Sequence, residues 1–189
     1  MKKEVVSTLR GSFLVAMPSI TDSYFKHSVI LMCEHAENGS MGFVINNINA
    51  KVQAGNIFSD MKLDFKPEQG TKPLHVGGPV GMDELFILHD EPHNWGESFK
   101  ISGDIGLSLS HKMIEEIVEG HGPQTFSLVV GYAVWSPGQL DRELRGNSWL
   151  VTPAKKDIVF ECPTEKVWIE TLNSMGINPA RLSSCGGNA

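Results

Sequence analysis

Apolar residues along this chain fall mostly in strand-length runs, broken by glycine, proline and asparagine. Ser12 to Met17 is an apolar run ended by Pro18, and Ser28 to His35 is apolar on both alternating faces, as a central strand would be. After Glu37-Asn38-Gly39-Ser40 the strand character resumes from Met41 to Asn46. Asn-Gly between two such runs predicts a hairpin, because both central positions of a type I′ turn need positive φ. A two-residue loop of Asn38 and Gly39 places Cys33 opposite Val44 and His35 opposite Gly42; a four-residue loop moves this register. A short helix is predicted near Asn56 to Lys62. Leu74 to Val76 and Leu85 to His89 read as short strands around Gly77-Gly78-Pro79-Val80-Gly81. Ser110 is placed to cap a helix with Met113, Ile114, Ile117 and Val118 on one face, stopped at Gly120. Phe126 to Trp135 is a long apolar strand interrupted by Gly131.

Next comes a capping signature. Ser136 is read as the N-cap, Pro137 as the first helical residue and Gln139 as the third, a capping box with proline where its missing N–H is not needed. Trp135 and Leu140 have the spacing of a hydrophobic staple, Asp141 and Arg145 pair at i,i+4, and Gly146 ends the helix. Trp149 to Val151 and Ile158 to Phe160 read as strands. A last helix starts around Pro163, buries Trp168, Leu172 and Met175, and stops at Gly176. Strands and helices mix without strict βαβ alternation, which predicts an α+β fold with a mixed sheet. No linker or repeat divides the 189 residues, so one domain is expected.

Composition narrows the class. A hydrophobic fraction of 41% with mean hydropathy −0.11 supports a packed core, and no apolar run reaches the roughly 18 residues of a membrane helix. Glu4, Ser7, Thr8 and Arg10 interrupt what a signal peptide would need as an apolar stretch, so a soluble cytoplasmic protein is expected. The net charge of −6 divides evenly, each half carrying 8 basic and 11 acidic side chains. The densest basic spots, Lys2-Lys3 and Lys155-Lys156, make no phosphate-tracking stripe, which disfavours direct DNA binding. Cys33, Cys162 and Cys185 form no C-x-x-C pair; their odd number suits a reducing compartment without a disulfide framework. The seven histidines include no H-x-x-x-H pair, so no metal and no cofactor is expected.

Cys33-Glu34-His35 is the most chemical of the local patterns. On a regular strand Cys33 and His35 share a face and Glu34 takes the other, but side chains at i and i+2 stand too far apart for a nucleophile–base contact. Cys33 is therefore read as a small buried hydrophobe, while Glu34 and His35, polar at the end of a central strand, are candidates for a site. Gly77 to Gly81 lacks the Gly-Lys-Ser/Thr ending of a phosphate loop and suits a tight turn or close backbone approach. No G-x-S-x-G, H-E-x-x-H or EF-hand pattern occurs.

Together, Asp22-x-x-Phe25, Ser28-Val29-Ile30, Cys33-Glu34-His35, Gly39-Ser40-Met41-Gly42, Val44-Ile45-Asn46, Gly77-Gly78-Pro79-Val80, Leu88-His89, Gly131-Tyr132-Ala133-x-Trp135, Gly138-Gln139-Leu140, Asn147-x-Trp149-Leu150 and Trp168 carry a resemblance to the YqgE/AlgH family, running from about Gly11 to Ala189. That resemblance implies a bacterial cytoplasmic α+β domain whose sheet is partly rolled into a barrel-like shape with helices packed outside. It implies no catalytic residues; some members are named as transcriptional regulators. His27, Ile48, Glu84-Leu85, Val134 and Asn188 depart from the family pattern, Val134 and Glu84 replacing a glycine and a positive charge.

The expected function is a non-enzymatic regulatory protein that binds a protein or small-molecule partner. The alternative is an enzyme with a site near Glu34, His35, His89 and Tyr132. For that site Glu34, His35 and His89 must cluster at the ends of adjacent strands, with Gly77 and Gly78 nearby. A weak anion site is also expected at the helix start, where Gly138 offers an N–H beside Gln139.

Overall fold

The computed structural model describes residues 8–90 and 98–182. Lys2, Lys3, Cys185 and Asn188 lie outside the described residues. In chain order the elements are β1 (Ser12–Ala16), β2 (Val29–Ala36), β3 (Gly39–Val44), β4 (Ile48–Gln53), α1 (Ala54–Asp60), α2 (Pro67–Gly70), β5 (Pro73–Val76), β6 (Val80–His89), β7 (Phe99–Lys100), β8 (Gly106–Ser108), α3 (His111–Glu119), β9 (Phe126–Trp135), α4 (Gln139–Arg145), β10 (Trp149–Pro153), α5 (Lys156–Phe160) and α6 (Val167–Ser174). The strands form one mixed sheet in the order β10-β1-β2-β3-β9-β6-β8-β7, with β5 joining β9 to β4. The β5–β9 pairing is parallel and the others are antiparallel. The sheet curls so far that the Arg10 guanidinium, just before β1, donates to the Lys100 carbonyl on β7. No helix among the described residues is long and apolar enough to cross a membrane.

Alternation along the strands divides the core into three. Phe13, Leu31, Cys33, Phe43, Leu88 and Val129 line the concave face and pack on Ile158 and Val159 of α5 and on Val167 and Leu172 of α6. On the convex face Leu14, Ile30 and Met32 meet Trp135, Leu140 and Trp149 under α4. Further along that face Leu74, Ile87 and Leu128 pack on Phe58 of α1 and Met113, Ile114 and Ile117 of α3. The apolar residues on both faces of β2 thus supply two cores.

β9 is the shared strand. One edge pairs with β6; the other takes β5 at Leu128–Val130 and β3 at Ala133–Trp135. The hand-over occurs at Gly131, whose φ of +67° puts it in the left-handed region. A Cβ there would stand 2.6 Å from the Gly78 carbonyl oxygen, and one on Gly77 would stand 2.4 Å from the Gly131 carbonyl oxygen. The glycines of the Gly77–Gly81 segment thus permit close backbone approach, and β6 rather than a helix follows them.

Several local expectations change. The hairpin loop has two residues, but they are Glu37 and Asn38, with His35 opposite Ser40 instead of Gly42. Neither loop residue has positive φ, so the turn is not type I′. Gly39 opens β3, where a Cβ would lie 2.7 Å from the Trp135 carbonyl oxygen. A bulge between Met32 and Glu34 puts Val44 opposite Ile30 instead of Cys33 and breaks the alternation. Cys33 therefore enters the concave core while His35 pairs with Ser40, and through it with Trp135, on the convex face.

α4 starts at Gln139, because Gly138 takes φ +69° and ends a turn in which the Gln139 N–H donates to the Ser136 carbonyl at 2.9 Å. Ile158–Phe160 belongs to a helix, α5, and not to a strand; a short apolar run has no period of its own, and here it inserts Ile158 and Val159 into the concave core. The last helix begins at Val167, after a turn in which the Lys166 N–H donates to the Pro163 carbonyl.

Gly131→Ala should lower stability by about 2–4 kcal/mol, through left-handed strain and the clash with Gly78. Gly103→Ala, where a Cβ meets nothing within 4 Å, should stay within about 0.5 kcal/mol. Urea unfolding of both variants checks this; equal small losses would contradict the close-contact role.

Candidate functional site

The hairpin carrying Glu34 and His35 lies at the Trp135 end of β9, whereas His89 pairs with Phe126 at its other end. Nine residue steps of strand separate the two ends, roughly 30 Å. His89 is also sealed, at 0% exposure. As the neutral imidazole it donates from Nδ1 to the Asp90 carbonyl at 2.6 Å and accepts at Nε2 from the Ser98 hydroxyl at 2.8 Å. Burial pushes its pKa down, opposed by the Asp90 backbone and charge. Glu34 and His35 themselves diverge. Glu34 is level with Met41, and Met41 with Val134, on one face of the sheet; His35, Ser40 and Trp135 share the other. Tyr132 stands beside Gly78, its ring packed edge-on to Phe86 at 5.7 Å. Glu34, His35, His89 and Tyr132 therefore share no site, and the predicted clustering of His89 with Glu34 and His35 is overturned by strand order.

The other candidates serve the framework. The His35 ring accepts from the Leu9 N–H at 3.4 Å, and its Nε2 lies 3.9 Å from the Asp141 carboxylate, so Asp141 turns to His35 and not to Arg145. Gln139 accepts from the Ser136 N–H at 3.0 Å and donates to Glu143 at 2.9 Å. Glu143 also accepts from the indole N–H groups of Trp135 and Trp149, at 2.9 and 2.8 Å. Cys33 is buried among apolar side chains, which raises its thiol pKa well above the ordinary range despite the nearby Arg10 charge.

A different cleft carries free polar groups. It lies where β5 and the start of β9 meet the connection between α5 and α6. It measures about 220 Å³ and is lined by Lys72, His75, Phe126, Ser127, Cys162 and Thr164, with Glu161 contributing an exposed carboxylate. His75 comes to this face because it is level with Val129 in the parallel β5–β9 ladder, while its neighbour Leu74 faces α1 and α3. Its Nδ1 is buried with no hydrogen-bond partner among the described residues. Burial pushes the His75 pKa down; the Ile45 backbone opposes this and the Lys72 charge adds to it. The Lys72 ammonium lies 4.5 Å from the centre of the Phe126 ring, and burial lowers its pKa. No carboxylate among the described residues pairs with it. The Cys162 thiol is pushed up by burial and by its acidic neighbours Glu170 and Glu165, so it is not an activated nucleophile.

Nothing in the sequence singled out this cleft. Lys72 reads as an ordinary surface lysine, and the one usable signal was His75 between Leu74 and Val76 in an otherwise apolar short strand.

A curled mixed sheet with helices on both faces defines the class. The family model described as AlgH-like (DUF179) matches residues 13–180, and the chain belongs to that family. It is similar to a UPF0301 protein of Ralstonia pickettii, 37% identical over 188 residues, covering 98% of each chain. A UPF0301 protein of Pectobacterium atrosepticum is 37% identical over 185 residues, 96% of this chain and 99% of its own. Among solved structures, that of the AlgH protein from Pseudomonas aeruginosa superimposes with a TM-score of 0.78 at 31% identity, covering all of both chains. A protein from Corynebacterium diphtheriae shares the fold at a TM-score of 0.73 and 24% identity, over 87% of this chain and 85% of its own.

The depressed His75 pKa has a consequence for stability. Folded His75 binds fewer protons than the unfolded chain, whose histidine titrates near 6.5. Stability is therefore lost as pH falls below about 6.5, and the loss is complete below the folded pKa. Urea unfolding between pH 7.5 and 5.0 should show a shallower acid loss for His75→Gln than for the native chain. Equal slopes would remove His75 as a contributor.

Proposed function

We propose that this protein is a non-enzymatic, cytoplasmic binding protein with a regulatory role, and that its ligand enters the cleft between β5, β9 and the α5–α6 connection. The observation that carries this reading is the lining of that cleft: an ammonium with no carboxylate partner among the described residues beside a buried imidazole nitrogen without a partner. Buried polar groups are ordinarily hydrogen-bonded, and a concave site with a few convergent polar groups is the usual form of a small-molecule pocket. Conversion of the ligand is disfavoured by the chemistry at hand, since burial raises the pKa of both Cys33 and Cys162 and His89 is occupied at both nitrogens. The even charge distribution and net charge of −6 argue against DNA as the direct partner.

The test is to incubate the full chain with a bacterial metabolite extract and analyse both the retained and the free pools by mass spectrometry. The expected result is saturable retention of a compound whose mass is unchanged, reduced at least tenfold in the Lys72→Met variant. Protein-dependent loss of a compound with appearance of a product would contradict the non-enzymatic reading.

A further inference from the structure

Resting on the binding role just proposed, the chemistry of the cleft also limits what it can hold. Its free groups are mostly hydrogen-bond donors. Lys72 has three N–H groups and no carboxylate partner among the described residues. The hydroxyls of Ser127 and Thr164 line the same cleft, and neither is hydrogen-bonded to any described residue. The His75 ring forms part of the lining; its N–H is turned to the Ile45 backbone, so in the neutral imidazole the unpartnered Nδ1 is an acceptor. Against the donors stands one charged acceptor, the exposed carboxylate of Glu161. The Phe126 ring holds the ammonium in place through its face, which does not neutralise the charge. A cation fixed on a ring face, with no carboxylate partner among the described residues, gains most from an anion that brings several acceptor oxygens at once.

We propose that the cleft binds a small organic anion, a carboxylate or a phosphate monoester, with its charged group against Lys72 and the Ser127 and Thr164 hydroxyls, and its uncharged end against Phe126 and His75. The volume of about 220 Å³ is below the roughly 300–1,000 Å³ of drug-sized pockets, so the occupant is a compact metabolite. Glu161 repels the anion, and its carboxylate sets an upper limit on the affinity and on the charge the ligand carries. The depressed Lys72 pKa agrees with a cation that lacks a partner in the free protein, and an anion should restore it.

The experiment is an NMR titration of the ¹⁵N-labelled full chain with inorganic phosphate, glycerol phosphate, acetate and succinate in separate arms, with sodium chloride at matched ionic strength. The expected result is saturable shifts at residues 72–75, 126–127 and 161–164 for at least one of the four, and none for chloride; the arm that saturates at the lowest concentration identifies phosphate or carboxylate chemistry. Affinity should fall at least tenfold in Lys72→Met, stay within about threefold in Lys72→Arg, and rise two- to threefold in Glu161→Gln. Circular dichroism establishes that each variant is folded. Absence of saturable shifts, or affinity that Lys72→Met retains, would overturn the anion assignment. A neutral or cationic compound retained unchanged from the extract would overturn it as well, while leaving the binding role standing.

Discussion

Strand β9 serves three neighbours, and on one of its edges β5 gives way to β3 at a backbone contact too close for any side chain. Gly131 and Gly77 approach within a distance that a single Cβ would fill, and Gly131 holds a left-handed conformation in the middle of a ten-residue strand. Everything on the concave side depends on that crossing. Because β5 runs parallel to β9 before it, His75 is level with Val129 and faces the inner core. Because β3 replaces β5 after it, the hairpin carrying Glu34 and His35 is carried to the far end of the sheet. One constraint thus separates the residues that looked catalytic and opens a cleft among residues that did not.

The polar side chains that first invite a functional reading are bonded within the framework. Glu143 receives two indole N–H groups and one amide, and His89 is bonded at both ring nitrogens. These arrangements hold α4 on the convex face and the end of β6 in place, and they leave nothing over for a ligand. Three buried side-chain atoms among the described residues lack a partner: the Ser28 and Thr125 hydroxyls and His75 Nδ1. Of these, only His75 lines the cleft that also holds Lys72. That an unpartnered buried nitrogen and a cation with no carboxylate partner among the described residues line the same cleft is the physical basis for placing the ligand there.

The long apolar strands and the amphipathic helix α3 were legible because their patterns have a definite period. The Phe126–Trp135 run coincides with β9, and Ser110 and Gly120 flank α3, although the Ser110 hydroxyl makes no capping bond. The hairpin register is not legible locally, because Gly39 is needed for its approach to Trp135 and not for the turn, a requirement that arises only once β3 has found β9. Ile158 to Phe160 passed for a strand because three apolar residues fit either period. The weakly apolar β4 was missed, and with it the path that brings β5 beside β9. The candidate site was the least legible part: Lys72 and Cys162 are 90 positions apart, and no local pattern marks either. Several residues carrying the family resemblance, Trp135, Gln139 and Trp149 among them, meet at Glu143 in a structural network.

Hydrogen–deuterium exchange of the full chain, with and without a bacterial metabolite extract, tests most directly where this molecule binds. The account predicts added protection confined to residues 72–75, 126–127 and 159–164, with the hairpin end unchanged. Protection at residues 34–41 and 134–135 instead, with none in the cleft, would contradict it.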